Sequence, residues 1–263
     1  MELLIYQVDA FTSRLFGGNP AAVCPLTEWL PDATLQAIAA ENNLAETAYF
    51  IQRSDGRYDL RWFTPALEID LCGHATLASA KVIFDHHEPD RQELAFQTRS
   101  GELRVSRNGS RLELDFPTRR PERLAGHPGL AAALGVTALE VWKSRDHLVV
   151  LESASAVRAV QPDFRALRAL EDVFAAIVTA PGEGDIDFVS RFFAPKAGID
   201  EDPVTGSAHC NLIPYWADRL GKSQLRAQQV SPRLGDLWCE LRGERVGIAG
   251  ECVEYLRGTI RVG

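Results

Sequence analysis

Cys72-Gly73-His74-Ala75-Thr76-Leu77-Ala78-Ser79-Ala80-Lys81-Val82-Ile83-Phe84 carries a single Lys or Arg and no carboxylate. Its part from Ala75 to Phe84 predicts a helix that is apolar nearly all round, and such a helix is buried rather than laid on a surface. Other elements must therefore wrap it. The flanking sequence supplies strands. Ser54-Asp55-Gly56 before Tyr58 to Phe63 marks one hairpin, and Asn108-Gly109 between Leu103 to Ser106 and Leu112 to Phe116 marks another, because glycine and asparagine tolerate the positive φ that tight turns need. The N-terminal half is thus expected to be mostly antiparallel sheet around a central helix.

Outward from that core, Leu3 to Phe11 predicts an opening strand that runs into a loop at Gly17-Gly18-Asn19-Pro20. Pro31-Asp32-Ala33-Thr34 followed by Leu35, Ile38 and Ala39 reads as a short helix stopped at Asn42-Asn43. Glu46 then opens a strand that continues from Thr47 to Gln52.

The second half repeats the theme. Gly129 to Leu134 and Phe164 to Val173 read as helices; Leu148 to Leu151, Phe174 to Thr179 and Ile186 to Phe193 read as strands. Gly206 to Leu220 matches the first buried helix, with Pro214 expected to kink it or break a hydrogen bond. Three short strands, around Trp238 to Leu241, Arg245 to Ile248 and Thr259 to Val262, close the chain. Phe63-Thr64-Pro65 precedes Cys72-Gly73-His74 much as Phe193-Ala194-Pro195 precedes Thr205-Gly206-Ser207. Two related α+β domains follow, over 1–117 and 118–263, with the last strand free to return to the first.

At 263 residues the length suits two domains, and a net charge of −8 without basic, aromatic-interleaved clusters argues against nucleic acid or anionic lipid as partner. No apolar run is long enough to span a membrane. The N-terminus lacks the pattern of a signal peptide, and the five widely spaced cysteines read as free thiols, so a cytoplasmic protein is expected.

The glycines at the two helix starts, Gly73 and Gly206, are candidates for holding an anion, since helix N-termini carry unpaired N–H groups and partial positive charge. They equally suit tight strand-to-helix turns. Glu46 lies in an uncharged neighbourhood, Asn43-Leu44-Ala45 before it and Thr47-Ala48-Tyr49-Phe50 after it, which suits proton transfer, a salt bridge or a helix-end cap. Glu201-Asp202-Pro203 alone reads as an exposed turn. Cys72, His74, His209 and Cys210 do not have zinc-ligand spacing, so no metal is expected, and Cys72 is either a nucleophile or a small buried residue. No dinucleotide or phosphate-loop fingerprint points to an organic cofactor.

Five stretches together resemble the phenazine-biosynthesis PhzF-like family of the diaminopimelate epimerase fold. They are Val8-Asp9-Ala10-Phe11-Thr12, Gly18-Asn19-Pro20-Ala21-Ala22-Val23, Asn43-Leu44-Ala45-Glu46-Thr47-Ala48, Cys72-Gly73-His74-Ala75-Thr76-Leu77 and 200–209, Asp-Glu-Asp-Pro-Val-Thr-Gly-Ser-Ala-His. The resemblance implies two domains, each an antiparallel barrel-like sheet around a central helix, with the active site between them, and a homodimer. It implies a cofactor-independent isomerase acting on a small-molecule substrate in a biosynthetic process, with Glu46 as the acid–base that moves a proton between carbons. His74, Asp202 and Ser207 become its orienting and hydrogen-bonding partners, and Asn19, Cys72, Gly73, Thr205 and Gly206 are expected to bind substrate. Phenazine-synthesising members resemble Ala-Gly-His-Pro-Thr at the first turn, where this chain has Cys72-Gly73-His74-Ala75-Thr76, and Ala45 stands where serine is typical. Diaminopimelate epimerases pair two cysteines, and here Cys72 lines up with the first while Thr205 holds the second position. A Cys72-assisted epimerase, or a binding protein that has lost turnover, are the alternatives.

Overall fold

The computed structural model describes residues 1–263, which divide into two compact units, 1–115 with 249–263 and 116–248. The first unit opens with β1 (Glu2–Ala10), followed by β2 (Asn19–Leu26), α1 (Asp32–Asn42), β3 (Glu46–Gln52), β4 (Tyr58–Phe63), β5 (Glu68–Ile69), α2 (Gly73–His86), β6 (Glu93–Thr98), β7 (Gly101–Asn108) and β8 (Arg111–Pro117). α1 stops where Asn43 adopts the left-handed conformation at φ 49°, one of the few conformations asparagine takes more readily than most residues. Gly56 and Gly109 turn the two expected hairpins at φ +79° and +62°. The sheet is mostly antiparallel, with β2 parallel to β3 and β4 parallel to β6.

α2 packs on β1, β2 and β3, and its residues from Gly73 to Ala80 are all buried. This is the wrapped helix that its all-round apolar sequence required. Thr76 and Ser79, buried polar residues of this helix, are tolerated because each hydroxyl donates to the carbonyl four residues back, Thr76 to Cys72 and Ser79 to Ala75, the latter at 2.8 Å.

The second unit contains β9 (Glu122–Leu124), α3 (Pro128–Leu134), β10 (Glu140–Lys143), β11 (His147–Val150), α4 (Ala154–Ala159), α5 (Phe164–Ala169), β12 (Ala176–Pro181), β13 (Phe188–Ala194), β14 (Ile199–Asp202), α6 (Gly206–Leu220), β15 (Gln224–Gln229) and β16 (Gly235–Arg242). Its apolar core gathers Leu130 and Leu134 of α3, Val157 of α4, Val178 of β12 and Phe193 of β13. α6 packs against β15 and β16. Pro214 interrupts it as expected, and the consequence is specific. Without an N–H at 214, the Cys210 carbonyl loses its helical donor and accepts instead from Arg119 N at 2.9 Å.

Two expectations are corrected. The helix expected from Phe164 to Val173 ends at Ala169, because Leu170 turns to an extended conformation and Lys196 takes the Leu170 and Glu171 carbonyls. The strands expected at Arg245 to Ile248 and Thr259 to Val262 are one continuous strand, β17 (Arg245–Arg261), which belongs to the second unit up to Ile248 and to the first thereafter. β17 pairs antiparallel with β1 along the whole of β1. No helix is long and apolar enough to cross a membrane.

Candidate active site

In the first unit, parallel pairing sets Ala21 of β2 beside Glu46 of β3, so the start of β2, where Asn19 lies, and the start of β3 are neighbours. α2 begins against the same strands and delivers Cys72, Gly73 and His74. Glu46 is 6% exposed and His74 4%. Their Oε2 and Nε2 atoms stand 3.0 Å apart, yet the contact is poorly directed and neither atom has an in-line hydrogen-bond partner. A carboxylate oxygen so placed is desolvated and close to the imidazole without being locked into a good hydrogen bond.

On its other side, His74 Nδ1 is 3.1 Å from Asn19 Nδ2 and 3.6 Å from Cys72 Sγ. Burial disfavours a charged His74, but the Glu46 carboxylate beside it outweighs that and holds its pKa above the ordinary 6.5. Burial pushes the Cys72 thiol up to about 11, and Glu46 adds to the effect. Cys72 is therefore a thiol at neutral pH. Glu46, Cys72 and His74 each place one ligand atom within 4.8 Å of the other two, a set of O, S and N donors that a thiophilic divalent cation could use.

The second unit arranges a different set. Thr205 is the N-cap position of α6, with Gly206 as the first helical residue and the half-buried Ser207 as the next. Thr205 Oγ1 donates to Asp202 Oδ2 at 2.6 Å. Gln229, fully buried on β15, accepts from Thr205 N at 2.9 Å and donates to the Asp202 carbonyl at 2.7 Å and to Thr205 Oγ1 at 3.2 Å. Sequence reasoning missed Gln229. His209 and Cys210, weighed as metal ligands, serve the helix interior: His209 Nδ1 donates to the Thr205 carbonyl at 2.8 Å and burial pushes its pKa down to about 4, while burial pushes the Cys210 thiol up to about 12.

α2 and α6 start alike. Neither Cys72 nor Thr205 makes a side-chain capping hydrogen bond, so the first-turn N–H groups of each helix are left for other acceptors. Gly73 and Gly206 are themselves helical and not among the positive-φ residues. Backbone strain therefore does not explain the glycines.

A family model described as phenazine biosynthesis-like protein matches residues 8–258. The chain belongs to the PhzF-like family. An uncharacterized isomerase of Pseudomonas aeruginosa is 53% identical over 262 residues, covering 100% of both chains. The crystal structure of a PhzF-family phenazine biosynthesis protein from Enterococcus faecalis superposes with a TM-score of 0.97 at 48% identity, again covering 100% of both. A hydroxyproline epimerase from Agrobacterium vitis, 10% identical with a TM-score of 0.61 over 98% of this chain and 92% of its own, shares the fold alone. The fold is thus the α+β epimerase-like one that this PhzF-like sequence implied.

Proposed function

We propose that this PhzF-like protein is a cofactor-independent isomerase in which Glu46 takes a C–H proton from a small carboxylate, next to a conjugated system, and returns it to another carbon on the same face. The observation that carries this is the buried Glu46 carboxylate, whose Oε2 stands 3.0 Å from His74 Nε2 without an in-line hydrogen bond. An acid–base group must be able to hold the proton in transit, and a tightly bonded carboxylate would resist taking it. His74 orients that carboxylate and balances its charge.

The Gly73 turn supplies N–H groups to the substrate carboxylate, with Asn19 and Cys72 as further contacts. Gly206, Thr205 and Ser207 are assigned the same office in the second unit, and Asp202 fixes the Thr205 hydroxyl at 2.6 Å. Cys72, held as a thiol by burial, is not the base in this reading.

The test begins with a thermal-shift screen of small carboxylates, cyclic dienes and amino acids. Stabilising compounds are then followed by proton NMR in deuterated water. Exchange of one C–H with wild type, slowed about 10²–10⁴-fold in a folded Glu46→Gln variant, is expected. Undiminished exchange in that variant would remove Glu46 from the mechanism, and tight binding without any exchange would make the protein a binder.

A further inference from the structure

A second polar cluster, in the unit that holds α6, takes no part in the proposed reaction. His147 at the start of β11 is 1% exposed, and neither of its ring nitrogens has a hydrogen-bond partner in the protein. A buried imidazole with both nitrogens unpaired is costly and calls for a ligand or another reason to persist. Its neighbours indicate which ligand. The His127 ring lies edge-on at 5.2 Å between centroids, and His127 Nε2 is 3.1 Å from Asp172 Oδ2. One ligand atom from each of His127, His147 and Asp172 lies within 4.8 Å of the other two.

Three separate elements deliver these groups: the N-cap of α3, the first residue of β11 and the segment after α5. We infer that His127, His147 and Asp172 bind a divalent transition-metal ion of the Zn²⁺ or Co²⁺ type, with solvent access at Asp172. Two imidazoles and one carboxylate form a borderline donor set that such ions prefer over Mg²⁺ or Ca²⁺. His147 brings a free lone pair, because burial pushes its pKa down to about 4 and leaves the ring uncharged. Asp172, with its side chain 59% exposed, leaves room for water or a solute as further ligands.

Two features oppose the ion and set its affinity. His127 Nδ1 accepts the Leu130 N–H at 3.0 Å, so in the neutral ring the proton is on Nε2 and is donated to Asp172. A cation on Nε2 takes the place of that proton, which moves to Nδ1 in the neutral ring; Nδ1 can then no longer accept the Leu130 N–H, so the His127 ring must loosen its cap on α3. Lys143 Nζ, 3.4 Å from the Asp172 carbonyl, adds a repelling charge near His147.

The test titrates Co²⁺ into the untagged full chain, read by visible absorption and calorimetry. One saturable equivalent with the bands of a four- or five-coordinate ion and no thiolate charge-transfer band is expected. Changing groups around a bound metal costs about 10–100-fold in affinity, and His147→Ala and Asp172→Asn, each removing a direct ligand, should each cost at least that. Lys143→Gln should tighten binding. Asp172→Asn alters an exposed side chain, so the test stands even if His147→Ala fails to fold. Absence of saturable binding, binding that survives Asp172→Asn undiminished, or a thiolate band that disappears in Cys72→Ser, which would assign the ion to the first unit, would each overturn the inference.

Discussion

Asn19 Nδ2 and His74 Nδ1 lie 3.1 Å apart, 55 positions apart in sequence. With the amide nitrogen facing the ring, Nδ1 must accept, and the ring proton is placed on Nε2 toward Glu46. With the amide turned over, its oxygen faces Nδ1 and suits the imidazolium. An amide at this position can therefore meet either protonation state of His74. The pKa of His74, raised by Glu46 against the opposing effect of burial, predicts ring ¹⁵N titration above 6.5. Because the folded value exceeds the unfolded one, this stabilisation is fully present below pH 6.5 and is lost as pH rises through the raised value. In Glu46→Gln the titration should move down and the pH dependence of urea unfolding should flatten. A His74 that titrates at or below its ordinary value in wild type would refute this.

Cys72 should behave as a thiol of low reactivity. Burial, then the Glu46 charge, holds its pKa at about 11, so alkylation at Cys72, identified by peptide mass, should be slow at neutral pH and accelerate towards that value. Cys72→Ser should lower C–H exchange by well under the ~10²-fold expected for losing an acid–base group. Fast alkylation at pH 7 together with a large loss in Cys72→Ser would favour the thiol-assisted epimerase instead.

Gln229 holds the turn that starts α6 through three hydrogen bonds, and two of them meet Thr205. Gln229→Leu leaves the buried Thr205 N–H without its acceptor, at a cost of about 1–3 kcal/mol for each buried group left unpaired. Gln229→Glu keeps an acceptor for Thr205 N but turns a second acceptor toward the Asp202 carbonyl, so it should also destabilise. Urea unfolding of both variants checks this, and a change within ~0.5 kcal/mol, typical of ordinary surface positions, would show that the network is incidental.

The two central helices were legible because each is a long apolar run opening at glycine, and α6 matches its expected range of Gly206 to Leu220. The hairpins and the strand starting at Glu46 were legible from local turn chemistry. β17 was not, since Gly247, Gly250 and Gly258 among charged residues look like breaks. Gly250 is instead a packing requirement: a Cβ there would meet Phe11 Cδ1 at 2.4 Å. β2 was hidden because Asn19-Pro20 reads as a turn, whereas Pro20 sits at the strand's beginning, where a missing N–H is tolerated. At the site, the motif positions could be named from sequence, but Gln229 carries no local signal. Its role comes from Asp202 and Thr205, 27 and 24 residues away.

Arg191 on β13 tests how firmly the segment before α6 is held. Its Nε and Nη2 donate to both Glu201 oxygens at 2.7 and 2.8 Å, and Nη1 donates to the Val160 carbonyl at 2.7 Å, with the Arg158 and Val157 carbonyls at 3.3 and 3.4 Å. One planar guanidinium therefore joins the strand leading to Asp202 to the carbonyl end of α4. The pair is largely buried, with side chains 9% and 16% exposed, so removing one partner strands a desolvated charge. Arg191→Met should cost about 3–5 kcal/mol, with little salt dependence. Arg191→Lys should recover only part of that, because an ammonium cannot form the bidentate pair and reach the carbonyls at once. A cost below about 1 kcal/mol for Arg191→Met in urea unfolding would place the pair with exposed salt bridges and show that Glu201 is held by other means.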